Sequence, residues 1–172
     1  MRSLYLGSVV EKSGKSMVTL GLARNFKGRV GFFKPFKERL IRVGDRVIDQ
    51  DAYLMRNVLD LEQPEEVLCP FAYDIFRPTH MDAIKAAYGR AACDCELMLI
   101  EGTREVTTGY LNDVSGLAIA EAIGADLVLI STPEPASLDK IAMLYKLSAS
   151  YKIDVKGVVL NIREITERKN AE

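Results

Sequence analysis

The apolar positions of this chain fall into short runs, separated by stretches in which they recur with a helical period. Ser3 to Ser8 is a first apolar run, followed by a Gly/Ser/Lys segment. From Met17 to Phe26 the positions Val18, Leu22 and Phe26 recur at i, i+4 and i+8, which predicts a helix with that face buried. Lys27-Gly28 ends it, with Gly28 as a left-handed cap. Arg29 to Phe33 predicts a second strand, stopped by Lys34-Pro35. A strand, a helix and a strand within about 30 residues form the βαβ unit of a parallel sheet.

The middle is less regular. Arg39 to Asp49 alternates charged and apolar residues and predicts a loop or a short edge element. Asp51 to Leu61 predicts a helix with Leu54, Val58 and Leu61 on one face. Glu62 to Pro78 holds three of the six prolines and predicts a long connection, of the kind that is often functional. Thr79 to Ala92 returns to a helix, with Thr79 as N-cap. Regularity then resumes: a strand from Glu96 to Ile100, a helix from Asp113 to Ile123 closed by Gly124, a strand from Asp126 to Ser131, a helix from Ala136 to Tyr151 and a strand from Val155 to Leu160. Near-continuous apolar strands alternating with helices predict an α/β fold, a doubly wound and mainly parallel sheet covered on both faces.

Length and charge narrow the function. One hundred and seventy-two residues predict a single domain over 1–172. Lys plus Arg number 23 against 24 Asp plus Glu, so the basic excess of a general nucleic-acid binder is missing, and no nucleic-acid partner is expected. The longest apolar candidate, Ala118 to Ile130, is broken by Glu121 and Asp126, so no membrane span is expected. The start of the chain lacks the long apolar stretch and cleavage site of a signal peptide. Three cysteines, Cys69, Cys93 and Cys95, fit buried thiols in a reducing cytoplasm better than a metal knuckle or a disulfide scaffold. The chain stops soon after the fifth strand, in the polar run from Arg163 to Lys169, where an apolar helix would normally cover the sheet. Three explanations stay open: a minimal domain, the N-terminal part of a longer protein, or a partner that covers the gap.

The candidate chemistry sits at the first strand-to-helix junction. Gly7 to Ser16 reads Gly-Ser-Val-Val-Glu-Lys-Ser-Gly-Lys-Ser, and its final Gly-Lys-Ser is where a P-loop belongs. In such a loop, backbone N–H groups and the helix N-terminus hold phosphate oxygens, Lys15 reaches the terminal phosphates and Ser16 ligates Mg²⁺. The full pattern wants glycine at position 9, which is Val9, so a Ser/Gly-rich turn with solvated lysines is the bland alternative. Carboxylates for the metal would come from other strand ends. Glu101 and Asp51 are the candidates, their alternatives being a solvated strand end and an ordinary helix N-cap. Lys34, held extended by Pro35, is either a second cation over the same edge or a strand-end lysine in solvent. His80 reads as a surface or capping residue, and Phe32, Phe33 and Phe36 as core.

With those residues placed, the chain resembles the dethiobiotin synthetase-like group of P-loop proteins, most of all the dethiobiotin synthetase-like N-terminal domain of some phosphate acetyltransferases. The resemblance spans Ser3 to Asn161. It rests on Ser8 to Ser16, on Phe33-Lys34-Pro35 (similar to the family's Tyr-Lys-Pro), on Asp51-Ala52, on Ile100-Glu101-Gly102 (similar to its Val-Glu-Gly) and on Gly157 to Asn161. It implies that Ser13, Gly14, Lys15, Ser16 and Met17 bind the phosphates of ATP or another purine nucleotide, and that Ser16, Asp51 and Glu101 hold Mg²⁺. It further implies that Lys15 and Lys34 act on the γ-phosphate and on the acid being activated, that Asn161 meets the purine edge, and that the chain forms a homodimer. In the family's enzyme a carbamate made from a diamine and CO₂ attacks the γ-phosphate. This sequence departs at Ser8 and Lys12, in the stretch Thr103 to Gly109, at Cys69 to Tyr73 and after Asn161.

Two functions follow from these features. One is a nucleotide-binding domain of regulatory or sensing type, attached to or working with a C-terminal regulatory or metabolic domain. The other is an ATP-dependent ligase that activates a carbamate or carboxylate. A partitioning-type ATPase would carry a lysine five positions before Lys15, and Val10 stands there.

Overall fold

The computed structural model describes residues 1–92 and 94–162. Cys93 and the polar run from Arg163 to Lys169 lie outside the described residues. Apolar strands make the central sheet, buried on both faces except in the last, whose positions alternate between half-buried and exposed. They are β1 (Arg2–Ser8), β2 (Val30–Phe33), β7 (Leu97–Glu101), β8 (Asp126–Ser131) and β9 (Val155–Leu160). Among the described residues these five pair in the order β2-β7-β1-β8-β9, and every pairing is parallel. β1 therefore lies at the middle, and the chain winds first to one side of it and later to the other. Ligands of such sheets gather at the carboxyl edge of that switch point. Among the described residues, no helix is long and apolar enough to cross a membrane.

The sheet has two apolar faces. On one, Tyr5, Phe33, Met98, Ile100, Leu127 and Leu129 pack with Ile84 and Ala87 of α4 (Met81–Ala91), Leu117 and Ala120 of α5 (Gly116–Ile123) and Leu144 of α6 (Pro135–Ser150). On the other, Leu6, Leu99, Val128 and Ile130 pack with Ala23 of α1 (Lys15–Asn25). Phe32 of the edge strand β2 packs with Ala52 and Met55 of α2 (Gln50–Val58). The doubly wound α/β expectation holds, and β8 and β9 begin and end where the apolar runs do. Phe32, Phe33 and Phe36 are all core.

Several local expectations are corrected. The fully buried positions of α1 are Lys15, Thr19 and Ala23; of the expected face, Val18 is half-buried against the core, while Leu22 and Phe26 are exposed. The junction turns Lys15 inward, and the positions four and eight residues later follow it beneath the helix. Small side chains there let α1 lie against β1 and β7. Phe26, with extended backbone, ends α1, and Gly28 is not a left-handed cap. The buried face of α2 is Asp51, Ala52 and Met55, while Leu54 is exposed. His80 rather than Thr79 holds the N-cap position of α4, without a capping bond from its side chain.

Arg39 to Asp49 is more ordered than its alternation implied. β4 (Leu40–Val43) and β5 (Arg46–Asp49) form an antiparallel hairpin, turned at Gly44 with φ +60°. The long connection contains the short helix α3 (Glu65–Leu68) and a two-residue strand β6 (Phe71–Ala72). β6 pairs in parallel with β3 (Phe36–Lys37) just beyond Lys34.

Candidate functional site

Three strand ends and one loop converge at the carboxyl edge. β1 runs into the loop before α1, which places a glycine where only a glycine fits. Gly14 has φ +91°, and a Cβ there would stand 2.6 Å from the Asn161 side-chain nitrogen. Gly14 caps α1, its carbonyl accepting from the N–H groups of Met17 (3.1 Å) and Val18 (3.2 Å). Lys12 also has a left-handed backbone, φ 62°, the conformation that glycine takes most easily. Asn161, just past β9, donates from Nδ2 to the Ser13 carbonyl at 3.2 Å and so braces the loop from the far side of the sheet.

The loop borders a cleft of about 340 Å³, lined by Ser13, Gly14, Lys15, Ser16 and Met17 together with Asp51 and Glu101. Seven residues singled out in the sequence thus share one surface. Lys34 is not among its lining residues. Its ammonium is fully buried beneath the cleft, 2.6 Å from Asp51 and 3.2 Å from both oxygens of Asp49. It is not a lysine in solvent, and Glu101, equally buried, is not a solvated strand end.

Asp49, not Asp51, caps α2: its Oδ1 accepts from the N–H groups of Asp51 (2.9 Å) and Ala52 (3.2 Å). That leaves the Asp51 carboxylate for Lys34 and the cleft. Ser16 donates from Oγ to Glu101 Oε1 at 2.9 Å, whereas Glu101 Oε2 is buried with no hydrogen-bond partner.

The electrostatics differ from group to group. Burial pushes the Glu101 carboxyl up to about 7; nearby Asp51 adds to this, while Lys15 and Lys34 work against it. Burial also pulls the Lys15 ammonium below the ordinary lysine value, with Glu101 and Glu38 opposing. For Lys34 burial acts in the same direction but loses to the combined charge of Glu101, Asp51 and Asp49, and its pKa rises. Asp51 is held below the ordinary carboxylate value, because Lys34 and the Ser16 hydroxyl outweigh its burial.

These residues fit a hydrated divalent cation. Among the described residues no three His, Cys, Asp or Glu side chains form a cage, so an all-protein site is not built here. Mg²⁺ ordinarily takes one or two carboxylates and fills its remaining positions with phosphate oxygens and water. Ser16, Asp51 and Glu101 are a donor set of that size, and the orphaned Glu101 oxygen is the acceptor that a cation would satisfy.

Three neighbours were missed in the sequence. Glu38 sits 3.8 Å from Lys15 and 3.6 Å from Lys34. The Thr103 carbonyl accepts from Lys15 Nζ at 2.8 Å. Tyr5 is buried in a slot that exists because residues 102 and 116 are glycines, where a Cβ would come within 3.0 Å of its ring. A lysine and a glutamate four apart, around the buried Phe36, were the available signal for Glu38.

The AAA_26 family model, described as an AAA domain, matches residues 2–171. A phosphate acetyltransferase from Pseudomonas aeruginosa is 24% identical over the whole chain, which spans only 26% of that protein's length. An ATP-dependent dethiobiotin synthetase from Nitrosopumilus maritimus is 20% identical over 94% of the chain and 76% of its own length. Another, from Methanocaldococcus jannaschii, is 24% identical over 90% of the chain and 77% of its own length.

Proposed function

Because the chain belongs to the AAA_26 family of AAA domains and is a dethiobiotin synthetase-like P-loop protein, we propose that it is a Mg²⁺-nucleotide-binding domain of regulatory or sensing type. Its ligand is ATP or another purine nucleotide. The observation that carries this reading is the Ser16–Glu101 pair, with its unpartnered carboxylate oxygen, at the N-terminus of a helix that opens on a left-handed glycine. A helix start of this kind favours phosphate through its N–H groups and its dipole.

Ser13, Gly14, Lys15, Ser16 and Met17 hold the phosphates, and Ser16, Asp51 and Glu101 hold the cation. Bound Mg²⁺ supplies charge neutralisation to the phosphate oxygens. Asn161, with Nδ2 on the loop, keeps Oδ1 to accept from a purine amino group.

Lys34 supports sensing over transfer. A lysine that serves an acceptor acid must reach it, and this one is sealed in carboxylates outside the cleft lining. The likeness to a quarter of a phosphate acetyltransferase supports an attached C-terminal regulatory or metabolic domain. Exposed Phe76, on a loop, and exposed Leu111, in the short 3-10 helix Tyr110–Asn112, lie on segments joined by the Asn112-to-Ile75 hydrogen bond and support a homodimer, which sedimentation would test. The compartment that fits these relatives is the cytoplasm.

The second reading is an ATP-dependent ligase acting on a carbamate or carboxylate, with Lys15 and Lys34 as its catalytic residues. It is favoured by the survival of Ser16, Asp51, Glu101 and both lysines in one connected cluster. Calorimetric titration of ATP and ADP with and without Mg²⁺, with phosphate release from ATP followed in the same samples, separates the two. Mg²⁺-dependent binding with negligible release is expected; steady release favours the ligase, and no binding of either nucleotide removes both.

A further inference from the structure

Glu38 belongs to neither the phosphate loop nor the proposed metal set, yet it is the acid that stands beside both buried lysines. Its place is built rather than incidental. On one side the Phe36 ring is buried against Phe71 and Tyr73, with centroids 6.4 and 5.6 Å away. On the other, the Glu38 N–H donates to Asp49 Oδ2 at 2.9 Å. The backbone is thereby fixed, and the side chain, 17% exposed, turns inward to the edge of the cleft. Oε2 lies 3.8 Å from Lys15 and 3.6 Å from Lys34, while Oε1 is buried without a hydrogen-bond partner.

An anion that lines the cleft beside the lysine of a P-loop has the surroundings that such sites provide for a terminal phosphate. Here one is supplied by the chain itself. Both contacts are longer than hydrogen bonds, so Glu38 satisfies the charge of the place without its full bonding. A nucleoside diphosphate would leave Glu38 where it is. A triphosphate would bring further negative charge against a carboxylate largely shielded from water, where repulsion is strong. Discrimination then arises from a penalty on the wrong ligand rather than from extra contacts to the right one.

We propose that Glu38 is a built-in stand-in for the γ-phosphate, which makes the cleft selective for nucleoside diphosphates; this rests on the nucleotide-binding reading above. A regulatory domain of this design reports the diphosphate, or the diphosphate-to-triphosphate ratio, rather than consuming the triphosphate.

The test is calorimetric titration of ADP and of ATP, at fixed Mg²⁺, into the chain and into Glu38→Gln and Glu38→Ala, with folding checked by circular dichroism. The unaltered chain should bind ADP at least about tenfold more tightly than ATP, about 1.4 kcal/mol. Both variants should gain about tenfold for ATP and stay within about threefold for ADP. ATP binding to the unaltered chain as tightly as ADP overturns the proposal and leaves the nucleotide reading standing. Equal losses for both nucleotides in folded variants also overturn it, since Glu38 would then support the site as a whole. Failure of all three proteins to bind either nucleotide overturns both. The ratio measured on the unaltered chain decides the matter if the variants do not fold.

Discussion

Lys15 and Lys34 lie on either side of one glutamate, both almost wholly buried, yet their surroundings make them different groups. Lys15 leans on a neutral carbonyl, that of Thr103, and burial draws its pKa down. Lys34 contacts Asp49, Asp51 and Glu38, and the charge of Glu101, Asp51 and Asp49 overcomes its burial and raises its pKa. A cation resting on a carbonyl remains available to an incoming anion. A cation already matched by carboxylates is a structural post that holds a strand end, a helix cap and a candidate metal ligand in register. In the proposed reading the same residue type, at two strand ends of one sheet, therefore serves ligand in one place and fold in the other.

That contrast can be broken most forcefully at Lys34. Lys34→Ala leaves Asp49 and Asp51 buried without their cation, and should lower stability by about 3–5 kcal/mol in urea unfolding. A loss below about 1 kcal/mol would mean that the carboxylates find other partners and that Lys34 is not a post. Lys15→Ala should do the reverse. Affinity for Mg²⁺-ATP and Mg²⁺-ADP should fall about 30- to 100-fold, about 2–2.7 kcal/mol, with unfolding stability nearly unchanged. Unchanged affinity would discredit the phosphate loop. At the proposed metal, Glu101→Gln should cut the Mg²⁺ dependence of nucleotide binding by about tenfold, and an undiminished dependence would remove Glu101 from the set.

The smallest effect sharpens the comparison with an ion cluster outside the cleft lining. Glu65, buried at the start of α3, faces Arg46 at 3.2 Å and Arg56 at 3.0 Å, both partly in solvent. Burial works to raise its carboxyl, but a backbone N–H and the two arginines outweigh burial and hold it below the ordinary glutamate value. Its contribution is therefore complete above the unfolded-state pKa and is lost as pH falls through the lower folded-state value. Glu65→Gln should destabilise by only about 0.5–1 kcal/mol near neutral pH and lose less than the parent on acidification. Equal acid sensitivity of the two proteins would show that Glu65 is not depressed.

How much of this was legible varies with how local each signal is. β8 could be bounded to the residue because a continuous apolar run between polar termini is a property of the segment itself, and β9, though interrupted by Lys156 and Gly157, is bounded by the polar Asp154 and Asn161. The buried face of α1 could not. Lys15, Thr19 and Ala23 are inside because the phosphate loop sets the helix's rotation, and apolar spacing carries no trace of that. The hairpin of β4 and β5 did leave a mark, Gly44-Asp45 between alternating residues, a recognised two-residue turn signal. Asp51 could be named but not separated from a capping role, since Asp49 and Asp51 compete for the same helix start and only geometry assigns them. Glu38 stayed hidden because Pro35 argues against helical spacing, and its approach to Lys34 depends on the β3–β6 pairing with a segment far along the chain.

The central position of β1 has a consequence for how this protein is made. β1 precedes both strands that flank it, which begin at Leu97 and Asp126. During synthesis, which exposes a chain from its N-terminus, β1 must wait without either neighbour until β7 has left the ribosome, and is enclosed on both sides only once β8 follows. Pairing over such separations is slow because the intervening loop must first be closed. The anion cradle at the end of β1 is therefore encoded early and assembled late, and a nucleotide can select only chains whose sheet has already closed around that strand.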